Sequence, residues 1–194
     1  MSGKTRSTLL TCLGFVAWIA YGLLGLREHW RTAACAGLVI MLAIIAIEVR
    51  TRSVKIIDCT SLAFFFLAIV ALVIAGEAAF SRYQDIVGWS LFAVAAWATM
   101  IAGVPFRLQY ARERAPHALW DKPHFRRVHV HVSATWAIIF TLDTILAAIE
   151  LGIGHRFVLI VILPAMSMVL GFAFTVLYPR FYRRQIFDYL EHRA

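Results

Sequence analysis

Asp143 is the residue of this chain best placed to do chemistry. It stands inside an apolar run, residues 132–150, well away from any basic loop. An ionisable group at such depth in a membrane-type segment is costly and calls for a reason. A carboxyl there can carry a proton or coordinate a cation. It can equally hydrogen-bond to a Thr, Tyr or Trp on a neighbouring helix and lock the two together. No Lys, Arg or His is expected at comparable depth in the other runs, so the carboxylate lacks a relay chain, which favours the lock. Counting in threes and fours places Ser133, Trp136, Phe140, Asp143, Ala147 and Glu150 on one helix face, which should turn toward protein and not lipid.

The other chemistry-bearing residues are less pointed. His117, His124, His129 and His131 crowd one polar stretch, but none of the seven histidines falls in the middle of an apolar run. A haem held between helices needs axial ligands that project inward from facing helices, so a cytochrome-like reading fails. His129-x-His131 has no acidic or Cys companion at ligand spacing, so no metal site and no cofactor is expected. The acidic pairs Glu77/Asp85 and Glu113/Asp121 each sit among arginines, where ion pairing explains them without catalysis. Metallo-hydrolase helix motifs are absent. Cys12, Cys35 and Cys59 form no CxxC and read as small hydrophobes. No catalytic residue is assigned, and the sequence does not read as an enzyme.

One polar segment links two long apolar runs: residues 105–127, PFRLQYARERAPHALWDKPHFRR. Six of the nineteen Lys and Arg residues lie between Arg107 and Arg127, and Pro116 and Pro123 bracket Trp120, so one helix should not run through it. This reads as a cytoplasmic basic linker, 107–127, lying at the membrane surface. Arg107, Arg112, Arg114, Arg126 and Arg127 are candidates for contact with anionic phospholipid head groups or an acidic partner protein. Tyr110 and Trp120 would be interfacial anchors. Setting topology is the plainer role of the same charges.

These residues require a membrane scaffold. Of 194 residues 61% are hydrophobic, and the net charge of +8 is concentrated between apolar runs, which points to anionic lipid and away from nucleic acid. Six runs can be drawn: 8–26, 33–49, 56–76, 86–106, 132–150 and 157–178. Helix is the default, because lipid offers no partner for open backbone groups. The expectation is an all-α integral membrane protein, one polytopic domain of six transmembrane helices in antiparallel hairpins. The number falls to five if 33–49, the shortest, lies tilted or at the interface.

With the N-terminus inside, fifteen basic residues fall on the inner side and four on the outer, which puts both termini in the cytoplasm. The basic start before residue 8 resembles a signal peptide, but its apolar run is too long and lacks a small-x-small site, so a retained helix is expected. Short outer links are expected at 27–32, 77–85 and 151–155. In the fourth run Ala95, Thr99 and Gly103 form a small-residue row that suits close packing in a central helix. Pro164 should kink the sixth run. The tail, 179–194, reads as a short amphipathic helix on the membrane surface.

The order of features around the linker is also familiar. An apolar helix ends in Val104-Pro105-Phe106, a Pro precedes a Trp (Pro116, Trp120), and the next helix opens Ser133-Ala134-Thr135-Trp136-Ala137. This resembles the intracellular septation protein A family of small bacterial inner-membrane proteins. It also resembles looser relatives with a Pro-Phe-x-x-Gln-Tyr-Ala-Arg-Glu stretch, matched here from Pro105 to Glu113. The chain departs from the septation proteins in its more basic linker, longer Pro-to-Trp spacing and extra helix. The resemblance implies a multi-pass protein of the bacterial inner (plasma) membrane, concerned with envelope maintenance or septation and meeting envelope-assembly proteins, with an oligomer allowed. It implies no catalytic residue. From another class comes the alternative of a small transporter or channel using Asp143.

Overall fold

The computed structural model describes Gly14 and residues 16–25, 27–120, 122–153 and 161–191, with the side chains of 114, 119 and 183–191 outside that set. Among the described residues the chain is helical without strands. The helices are α1 (Val16–Gly25), α2 (Trp30–Arg50), α3 (Ile56–Ile74), α4 (Gly76–Ile101), α5 (Phe106–Arg114), α6 (Pro123–Ile153) and α7 (Leu163–Glu191), with a 3-10 turn at His117–Leu119. Five of them hold segments long and apolar enough to cross a bilayer: α2, α3, α4, α6 and the part of α7 from Leu163 to Tyr182. Large apolar side chains such as Val73, Ile74 and Ile101 lie exposed on them, as suits helices that face lipid. The protein is an all-α membrane protein.

The chain divides into two compact units, Met1–Ala95 and Ala96–Ala194. In the first, α2 and α3 pair through a tight turn. Thr51 Oγ1 lies 2.9 Å from the Ile47 carbonyl and 3.1 Å from that of Glu48, which also accept from the backbone N–H groups of Thr51 and Ser53. Arg52 then takes a positive φ of 53° to reverse the chain. The buried face of α2 runs Ala33, Ala34, Gly37, Met41, Ile44 and Glu48 at helical spacing. At Gly37 a Cβ would fall 2.4 Å from the Phe65 ring, so glycine lets that ring lie directly on the α2 backbone. Trp18 and Tyr21 of α1 pack on Phe64 and Phe65 of α3, with centroids 4.8 to 5.5 Å apart.

In the second unit α6 and α7 pair, and α5 lies against α6. All six residues expected on the inward face of α6 are buried. The partners along α6 and α7 keep one antiparallel register: His131 with Tyr178, Trp136 Nε1 donating to Thr175 Oγ1 (2.8 Å), Ile139 beside Gly171, and Asp143 with Ser167. A Cβ at Gly171 would lie 2.8 Å from Ile139 Cδ1, so the glycine sets how closely the pair approaches.

Several expectations need correction. Residues 33–49 belong to α2, a 21-residue helix long and apolar enough to cross a bilayer. The first run is described only in its second half. The outer link at 77–85 is helical, because α4 starts at Gly76 and Ala75 alone separates it from α3. Its small-residue row is only half buried, with Ala98 and Ala102 exposed and Phe92, Ala93 and Ala96 buried instead. Pro164 stands at the start of α7, directly after π-helical backbone at 161–162. Pro179 is the proline inside α7, and the tail continues that helix to Glu191, so it is not a separate element.

Candidate functional site

The geometry resolves into three polar centres. The first is Asp143, fully buried on α6. Ser167 Oγ, one turn into α7, lies 3.0 Å from Oδ1 and 2.9 Å from Oδ2, and 2.8 Å from the Pro164 carbonyl. A hydroxyl has one proton, and three oxygens surround it. Ser167 donates to the Asp143 carboxyl, with the Pro164 carbonyl as the competing acceptor. The partner is thus a serine, not the expected Thr, Tyr or Trp.

The second centre is one that the sequence reading missed. Lys55 Nζ donates to Glu48 Oε1 at 2.6 Å, and the Lys55 backbone N–H donates to Oε2 at 3.2 Å, with both side chains almost wholly buried. Glu48 therefore holds the Lys55 ammonium and also satisfies the open N-terminus of α3. Asp58, in the first turn of α3, is buried close by in sequence, followed one turn on by Ser61, which accepts from Trp18 Nε1 at 3.1 Å. Lys55 stands in the turn between α2 and α3, outside the apolar runs, so what was missed is its burial and not a charge within a span. A signal was available: Glu48 continues the spacing of Gly37, Met41 and Ile44, so the face that buries them must bury it too.

The third centre is the linker, and its candidates do not form one site. The Arg112 guanidinium lies 5.3 Å from the Trp120 ring, the His117 ring is 3.9 Å away on centroids, and Trp120 Nε1 donates to the Ala115 carbonyl at 3.2 Å. Trp120 is thereby fixed within the linker. The Arg107 backbone N–H donates to buried Ser133 Oγ at 3.2 Å, anchoring α5 to α6. Gly103, with φ of 73°, ends α4, and exposed Arg126 donates to its carbonyl at 3.0 Å. Arg127 and Lys122 are exposed, and the Arg114 side chain lies outside the described residues. Pro116 and Pro123 fall where α5 has ended and where α6 begins.

Among the described residues no three His, Cys, Asp or Glu side chains converge as metal ligands. No protein-family model, curated protein or solved structure matches this chain.

Proposed function

We propose that this is a non-enzymatic, multi-span protein of the bacterial inner membrane whose basic linker rests on anionic lipid head groups or docks an envelope-assembly partner, in envelope maintenance or septation. The observation that carries this reading is the way Trp120 is held by Arg112, His117 and Ala115. The linker has a shape of its own, and Lys122, Arg126 and Arg127, which follow that ring in sequence, are exposed. A tryptophan with flanking cations is the chemistry of a head-group contact.

Arg112, Arg114, Arg126 and Arg127 are to be replaced together by Gln, and protease protection of the linker measured in anionic liposomes over a salt series. Each basic residue near such a surface contributes about 1 kcal/mol, and salt screens it. Wild type should lose protection as salt rises, and the variant should lack it throughout. Protection unchanged by the substitutions and by salt would sink the lipid reading. Retention of a cross-linked protein by wild type alone would favour the partner.

A second reading, a small transporter or channel, draws support from the full burial of Asp143. The hydrogen bonds to Ser167 support instead a helix lock.

A further inference from the structure

Toward the start of α6 and the end of α7, the seam between these two helices changes from apolar packing to rings with polar tips. His131 Nδ1 is hydrogen-bonded to the Tyr178 hydroxyl, and the Tyr178 ring stacks on Phe174 with centroids 4.7 Å apart. Further along the same seam the His124 and Tyr182 rings stand 6.3 Å apart on centroids. His124, Arg127 and His131 share one face of α6, as Phe174, Tyr178 and Tyr182 share one face of α7. Arg127 lies near enough to Tyr178 for its charge to act on the hydroxyl.

This end of the seam has cations without counter-ions. Lys122, Arg126 and Arg127 are exposed, and none of them pairs with a carboxylate among the described residues. His131 decides whether a neutral donor joins them. A neutral imidazole carries one N–H. With that proton on Nδ1, the ring donates to Tyr178, whose own O–H is left to donate outward beside Arg127. With the proton on Nε2, the Tyr178 proton is spent on His131. An acceptor of negative charge in front of Arg127 selects the first arrangement, because it can then take a hydrogen bond from both groups.

The level of the cluster says which anion is at hand. His131 directly precedes the apolar run 132–150, and Tyr178 closes the run 157–178, so both mark the edge of the hydrocarbon layer. Lipid phosphates lie just outside that edge, where aromatic rings with polar tips and basic side chains gather.

We propose that the paired ends of α6 and α7 bind the phosphodiester of an anionic phospholipid, with Arg127 and the Tyr178 hydroxyl on its phosphate oxygens and His131 holding Tyr178 as a donor. Free phosphate is the competing source of the same chemistry. The inference rests on the reading of this side of the protein as a surface for anionic lipid. It adds a seat built from α6 and α7, apart from residues 107–120 of the linker.

The test uses the full chain in phosphatidylcholine nanodiscs doped with phosphatidylglycerol that carries a photoreactive group on its head, with labelled residues mapped by mass spectrometry. Wild type should be labelled at 124–131 and 178–182, as well as along 107–120. Tyr178→Phe keeps the ring stacked on Phe174 and loses only the hydroxyl. It should lose most of the label at 124–131 and 178–182 and keep that on 107–120. Label on 107–120 alone in wild type, or label at the α6–α7 end that Tyr178→Phe leaves unchanged, overturns this proposal while the linker reading stands. Absence of label from both places overturns the two together. Two arms on wild type are free of any folding defect. Phosphatidylcholine bearing the same photoreactive group should label the α6–α7 end less, and equal labelling overturns an anionic ligand. Inorganic phosphate at matched ionic strength should not displace the label, and displacement overturns a lipid one.

Discussion

Ser167 has too few protons for its neighbours, and this makes Asp143 testable. An Asn at 143 keeps the shape and can donate to Ser167 through its amide. A Leu can neither donate nor accept. Interhelical hydrogen bonds in membranes average roughly 0.6 kcal/mol and rarely exceed ~2 kcal/mol. Asp143→Asn should therefore melt close to wild type, and Asp143→Leu measurably lower. Vesicles reconstituted with wild type and both variants give the second readout, proton and cation flux. Wild-type flux that Asn abolishes at unchanged stability would establish transport. No flux, with a stability loss confined to Leu, fits the lock.

The Glu48–Lys55 pair makes a different prediction at the same scale. Removing one partner of a buried ion pair costs about 3–5 kcal/mol, whereas replacing both by apolar residues is often neutral or better. Glu48→Gln and Lys55→Met should each destabilise strongly, and the Glu48→Leu/Lys55→Met double variant should recover most of the loss. Thermal unfolding in detergent across this cycle decides it. Additive losses would mean that the two side chains act separately.

At the scale of elements, close approach depends on Gly37 and not on Gly22. A Cβ at Gly37 collides with Phe65, which is fully buried and has no room to turn aside. Overpacking costs about 1–3 kcal/mol, more than the up to ~1 kcal/mol that Ala gains over Gly in a helix, so Gly37→Ala should lower the melting temperature. At Gly22 nothing lies within 4 Å of a Cβ, so Gly22→Ala should be neutral or stabilising.

The inward face of α6 was legible, because its spacing alone puts Ser133 through Glu150 on one side. The apolar runs marked most of the helices, but not where they end. Hydropathy falls at Glu77–Asp85, yet the backbone there stays helical, since a helix needs no apolar side chains to close its own hydrogen bonds. Pro179 carried no expectation, yet it lies inside α7, which runs through it to Glu191. The buried lysine was illegible to loop counting, which sees charge and not its partner seven residues earlier.

For the molecule as a whole, the basic asymmetry predicts that residues 107–127 and both termini face the cytoplasm. A Cys placed at Gln109, in a background without Cys12, Cys35 and Cys59, should resist an impermeant thiol reagent in intact cells and react once the membrane is opened. Labelling from outside would reverse the orientation of every span.

The buried ion pair also bears on how the chain enters the membrane. Arg50, Arg52 and Lys55 follow α2, but Lys55 is held by Glu48 and presents no net charge to the surface. The retention signal on that turn is accordingly two arginines. Both members of the pair leave the ribosome within a few residues of each other, and the tight turn at Arg52 brings them together as soon as α3 begins to coil. The pair thus ties the end of α2 to the start of α3, so that the two helices are best regarded as one hairpin unit.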